Sequence, residues 1–225
     1  MKTILGKNNH LTIIILFFLS TLLTSCFDVI QNVKINTDRS GEFLLKVNLS
    51  KSKDQVDRLL GQDSIQGIRV PSKTDISSKL NQLKTRLSSL NGLSNVKLSK
   101  DFEDYIFEVS FDFKDIDNLN EAQGEIQKLD PSIGMPVRFL LNDKLFSLAY
   151  SEQLLGKANN SLVKFKFDEL KTADFVTICR FDKEVKGCTG TNCKTSSNKK
   201  ATFNKISVAD FIENKKNQAL TVYFK

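Results

Sequence analysis

From residue 27 the chain alternates. Phe27, Val29, Val33 and Ile35 fall on one phase of a period of two, with Asp28, Ile30, Lys34 and Asn36 on the other. Thr37-Asp38-Arg39-Ser40-Gly41 supplies turn chemistry, and Phe43, Leu45, Val47 and Leu49 resume the alternation, so the segment predicts a β-hairpin. A short helix is predicted over residues 50–62. After Pro71, Ile76, Leu80, Leu83, Leu87 and Leu90 recur at steps of 4, 3, 4 and 3, which predicts a longer helix capped by Ser72 or Thr74 and stopped at Asn91-Gly92. Its stripe covers fewer than the roughly three to four heptads that sustain a coiled coil, so it is assigned to packing against a sheet.

Val96 to Leu98 predicts a short strand. Tyr105, Phe107, Val109, Phe111 and Phe113 predict a longer one, with Glu108, Ser110, Asp112 and Lys114 on its other face. An aromatic stripe of this kind is ordinarily core; the functional alternative is an apolar groove for an acyl chain or peptide, lined by Tyr105, Phe107, Phe111 and Phe113. Leu119, Ala122, Ile126 and Leu129 predict a third helix over 118–129, stopped by Asp130-Pro131. Val137 to Leu141 and Leu145 to Tyr150 flank Asn142-Asp143-Lys144 as a second hairpin.

Residues 151–170 are open between types, because Phe165 and Phe167 alternate like a strand while the length and Lys/Glu content suit a helix. A sub-boundary within the domain would fall near 151–160. The chain then returns to β, with strands expected over 175–185, 201–208 and 220–224. Hairpins interleaved with helices imply an α+β fold: a mainly antiparallel sheet with helices packed on one face.

The first 25 residues have a different pattern. Lys2 and Lys7 precede an apolar run from Leu11 to Leu23, and no acidic residue occurs before Asp28, which is the layout of a secretory signal. As a helix that run reaches about 20 Å, short of the ~30 Å a membrane-spanning segment must cross. It ends in Leu23-Thr24-Ser25-Cys26, an aliphatic residue, two small ones and a cysteine. This resembles the lipobox of bacterial lipoprotein precursors. The resemblance implies cleavage between Ser25 and Cys26, a lipidated Cys26 as the first residue of a mature domain over 26–225, and a cell-envelope location held by acyl chains. Phe27, rather than Asp, follows the cysteine, which by the usual sorting pattern favours the outer over the inner membrane. The domain itself resembles small, poorly characterised envelope lipoproteins that start a β-hairpin right after the cysteine, a likeness that implies no particular activity.

Charge and chemistry narrow the function. Loss of residues 1–25 takes two lysines and no acid from 33 bases and 26 acids, which leaves about +5 on the mature chain. That excess suits mild attraction to an anionic membrane surface. Export and the lack of a basic run with interleaved aromatics speak against nucleic acid. His10 is the one histidine and lies in the signal, so the mature protein lacks Ser-His-Asp, Cys-His and HExxH chemistry.

A carboxylate hydrolase is the enzymatic alternative. Glu108 and Asp112 lie on one strand face about 13 Å apart, beyond the ~5–9.5 Å such pairs use. Cys188 and Cys193, five residues apart around a Gly/Asn turn, suit a local disulfide at a hairpin tip, with Cys179 left as a buried thiol on a strand. No metal or other cofactor is expected, since the cysteines lack a second matching pair. The sequence therefore points to a non-enzymatic binding or assembly module at the membrane, with an unidentified membrane-proximal protein or lipid as partner and a lipid carrier as the alternative.

Overall fold

A computed structural model of the protein describes residues 28–65, 67–129, 137–150, 173–207 and 219–225. The lipobox, the Asp130-Pro131 stop and the ambiguous 151–170 segment lie outside those residues. Strands β1 (Asp28–Ile35) and β2 (Gly41–Asn48) form the first hairpin, with Val33 opposite Phe43 and Ile35 opposite Gly41. Its turn is built by Asp38, whose carboxylate accepts from the Ser40 N–H and hydroxyl. Gly41 is required sterically: a Cβ there would sit 1.9 Å from the Lys34 carbonyl oxygen.

A 3-10 turn (Ser50–Ser52) leads into α1 (Lys53–Leu60), and a two-residue ribbon, β3 (Ser64–Ile65) with β4 (Ile68–Arg69), precedes α2 (Lys73–Ser89). Ser72 caps α2 in a capping box: its hydroxyl accepts from Asp75 N–H at 3.0 Å, and the Asp75 carboxylate accepts from Ser72 N–H at 3.0 Å. Leu83 and Leu87 of the helical stripe are fully buried. β5 (Leu93–Asp101) is longer than the sequence indicates. It pairs with β6 (Ile106–Phe113), the aromatic strand. Next comes α3 (Ile116–Leu129), with Leu119, Ala122 and Ile126 in the core, then the hairpin β7 (Val137–Leu141) and β8 (Leu145–Tyr150).

Past residue 172 the structure departs from the sequence pattern. The single strand expected over 175–185 is two: β9 (Asp174–Phe181) and β10 (Val185–Thr189), broken at Asp182-Lys183-Glu184. β11 (Lys194–Thr195), β12 (Ala201–Ser207) and β13 (Leu220–Phe224) complete the described chain. The break matters because β9 and β10 belong to different sheets. A seven-stranded sheet runs β11-β12-β9-β1-β2-β6-β5 and a four-stranded sheet runs β10-β13-β8-β7. All described pairings are antiparallel except β1 with β9.

The fold is thus α+β with two mostly antiparallel sheets. One face of the large sheet is covered by α2 and α3 near β5 and β6, and by the small sheet near β1 and β9. The expected helical cover accounts for only part of that face. Phe43 stacks on Phe111 with ring centroids 5.0 Å apart within the large sheet, and Phe181 meets Phe146 and Phe224 of the small sheet at 5.4 and 5.1 Å. Asn120 of α3 fastens the edge strand β7, accepting from Phe139 N–H at 2.8 Å and donating to its carbonyl at 3.0 Å. Those two bonds satisfy backbone groups that an edge strand otherwise leaves unpaired.

Candidate functional site

Period-two geometry gives the large sheet an inner and an outer face. Inner residues Val33, Phe43, Phe111 and Cys179 are buried. Of the four rings assigned to an apolar groove, Phe111 and Phe113 are 1% and 3% exposed in this core. Tyr105 is equally buried and donates its hydroxyl to the Asp57 carboxylate, while Phe107 is partly buried, edge-on to Phe102 at 5.3 Å. Among the described residues these side chains are occupied by packing. The reason is that α2, α3 and the small sheet cover the same face.

The outer face has no helix or sheet packed on it among the described residues. At its centre Ile30 lies opposite Val176, Leu44 and Ile178 flank Asn32, and Phe203 lies opposite Ile178. Phe203 is 41% exposed and the others partly so. Charged residues surround this patch. Lys34 pairs with Glu42 at 2.7 Å, Lys46 with Glu108 at 2.7 Å, and Lys205 with Asp174 at 2.6 Å. The hydrogen bond to Glu42 holds the Lys34 ammonium above its ordinary pKa. Asp112 accepts from the Asn95 amide at 2.6 Å. Glu108 and Asp112, the carboxylates weighed as a catalytic pair, are therefore each engaged by a separate partner on an open strand face.

Lys97, Arg180 and Lys194 are exposed and have no ion pair among the described residues. These three bases outnumber Asp112 and Asp182, the carboxylates near Lys34 that are held only by neutral donors, so the balance of this face is positive. Sequence reading missed the patch, although a signal was present: Ile30 and Leu44 are apolar residues on the phase assigned to solvent.

β1 begins two residues after Cys26, the residue assigned to lipidation, which lies outside the described residues. Extended chain covers at most about 7 Å over two residues. Asp28 lies beside Asn48 and Asp174, and Ser207 lies beside Asp174, so these positions mark the end of the sheet nearest Cys26 in sequence. At the opposite end Ile35, Arg39, Leu141, Lys183 and Phe224 line a shallow cleft of about 100 Å³. That is below the ~300–1,000 Å³ of ordinary small-molecule sites. Its charges are also matched, Arg39 with Asp115 at 3.5 Å and Lys183 with Asp143 at 3.5 Å.

Cys188 and Cys193 form a disulfide with a Cα–Cα distance of 6.1 Å. The expected hairpin tip is corrected, since β10 pairs in the small sheet and β11 in the large one. The bridge closes the passage between sheets, and Asn192 pins it to β12 by donating its backbone N–H to Asn204 Oδ1 at 3.3 Å and its amide to the Lys205 carbonyl at 3.0 Å. Cys179 is a free, fully buried thiol whose pKa burial pushes up to about 12, with the Thr202 hydroxyl opposing that rise more weakly. It carries no nucleophilic chemistry near neutral pH.

No protein-family model matches the chain, and no curated protein does. Among solved structures it is similar to the folded domain of the Mycobacterium tuberculosis protein LppM, determined by NMR. The two are 14% identical with a TM-score of 0.45, over 90% of this chain and 91% of that one. At that score and identity the likeness carries neither a family nor an activity to this chain.

Proposed function

We propose that the protein is a lipid-anchored lipoprotein of the bacterial cell envelope, resident in the outer membrane, that works as a non-enzymatic binding or assembly module close to the bilayer. The observation that carries this reading is the join between Leu23-Thr24-Ser25-Cys26 and a strand that starts at Asp28, with no Gly/Ser- or Pro-rich tether between anchor and fold. Three acyl chains on one cysteine hold a protein stably at a membrane, where a single chain binds only reversibly. A partner must then come to the bilayer surface. The lack of histidine after Cys26 and the separate engagement of Glu108 and Asp112 favour binding over catalysis.

Palmitate labelling with membrane fractionation tests the anchor. The wild type incorporates label and sediments with outer membranes on a density gradient, and Cys26→Ala loses both properties. A Cys26→Ala protein that still labels and stays in the membrane refutes the lipoprotein reading. In-cell cross-linking then tests the binding role through recovery of a specific membrane-proximal partner. Hydrolysis of an envelope polymer that is lost on changing one carboxylate replaces the role with an enzymatic one.

A further inference from the structure

We infer that the outer face of the seven-stranded sheet is a membrane-docking surface on which the domain lies flat against anionic phospholipid headgroups. The inference rests on the lipoprotein reading and specifies how the anchored domain is oriented. Three observations combine. First, the face is apolar at its centre, where Ile30, Leu44, Val176, Ile178 and Phe203 occupy contiguous positions on β2, β1, β9 and β12. Second, its charge leans positive: the acids Glu42, Glu108 and Asp174 each hold a lysine, and the bases Lys97, Arg180 and Lys194, which have no anionic partner among the described residues, outnumber the carboxylates Asp112 and Asp182, held there only by the neutral Asn95 amide and the Thr37 N–H. An anionic surface complements those three bases.

Third, the tether leaves little freedom. Ile30 lies four residues after Cys26, so at most about 14 Å of extended chain separates the patch centre from the lipid-bearing residue. Confinement so near the bilayer makes a weak face effective, because docking becomes intramolecular. A second copy is the less favourable occupant. Two such faces in contact bring the excess bases of both copies together, while Glu42, Glu108 and Asp174 are already paired with lysines of their own copy.

The test uses the lipidated full chain in vesicles, with amine-reactive footprinting read by mass spectrometry. On phosphatidylethanolamine vesicles containing about one-third phosphatidylglycerol, Lys97, Lys194 and Lys205 label at least about threefold more slowly than on phosphatidylcholine vesicles, and roughly 0.5 M salt removes the difference. Lys84 and Lys144, exposed on other surfaces, label equally in all conditions. A Lys97→Glu/Lys194→Glu variant changes only exposed side chains, remains anchored, and loses the protection of Lys205.

Equal labelling of outer-face and control lysines overturns the proposal, as does protection retained by the variant. Protection that is the same on neutral vesicles and accompanied by cross-links between copies overturns it in favour of self-association. An intact mass lacking acyl groups refutes the lipoprotein reading separately. Co-sedimentation of the unmodified chain with anionic but not neutral vesicles then decides the docking surface independently.

Discussion

Phe181 couples the two sheets, and replacing it tests how the core is joined. It lies on the inner face of β9 opposite Ile35, is 5% exposed, and presents its ring edge-to-face to Phe146 of β8 and Phe224 of β13. Truncating a buried phenylalanine to alanine costs about 3–5 kcal/mol, the sum of lost transfer energy and the cavity left behind. The two aromatic contacts, at about 0.5–1.5 kcal/mol each, make up part of that loss. For a chain of this size about 2–4 °C of melting temperature accompanies each kcal/mol, so Phe181→Ala is expected to melt roughly 6–20 °C lower.

Phe203→Ala is the matched control, the same residue type on the neighbouring strand β12 but facing outward and 41% exposed. Its truncation opens no enclosed cavity and is expected to cost less than about 1 kcal/mol. Urea titration followed by far-UV circular dichroism reads both, as a shift in midpoint at constant slope. A Phe146→Ala/Phe181→Ala cycle should return a coupling of about 0.5–1.5 kcal/mol. A Phe181→Ala cost no larger than that of Phe203→Ala, or a cycle with no coupling, contradicts the assignment of Phe181 as the ring that joins the sheets.

Cys188→Ser/Cys193→Ser removes a bridge with a sequence separation of 5. For so short a loop the expected cost is about 2 kcal/mol, or roughly 4–8 °C in a non-reducing melt, and an unchanged melting temperature counts against its structural role. Asp38, Asp75 and Asp101 have pKa values held below the ordinary 3.8: Asp38 chiefly by the Ser40 hydroxyl, Asp75 by the Ser72 backbone N–H, and Asp101 by the Asp104 backbone N–H. Their contribution to stability is fully present above the unfolded value and is lost as pH falls through the lower folded values, so melting temperature should drop below about pH 4 and Asp75→Asn should flatten part of that drop. Thermal melts across the acid range check this, and a profile unaffected by Asp75→Asn argues against the capping contribution. Cys179 should resist iodoacetamide at pH 8 in the folded protein and react only after denaturation, since its thiol is fully buried with a pKa raised to about 12. Peptide mapping reads the outcome, and native-state alkylation contradicts the burial.

Much of the local structure was legible from residue patterns. The hairpins at 28–48 and 137–150 follow from period-two alternation around Asp/Asn/Gly turns, and α2 follows from its 3.6-residue stripe between Ser72 and Gly92. These features depend on neighbours close in sequence, where backbone geometry translates spacing directly into a face. The break at Asp182-Lys183-Glu184 shows in sequence as three charged residues in a row, but not that the strands on its two sides change partners: Phe175 pairs with Ile206, whereas Val185 pairs with Phe224. Reading the cysteine segment as a hairpin tip failed for the same reason. Spacing admits a disulfide but does not say which sheet each flanking strand joins.

The candidate site divides in the same way. The proposed anchor and the expected loss of His10 with the signal are readings of linear motif and composition, made from the sequence alone. The open basic face does not follow from any one segment, because β12, β9, β1 and β2 reach it from distant parts of the chain and β9 lies parallel to β1. Alternation defines two faces for each strand without saying which will be covered. Coverage is decided when α2, α3 and the small sheet pack on the same side, burying Phe111 and Phe113 and leaving Ile30, Leu44 and Phe203 with the unpaired bases on the other.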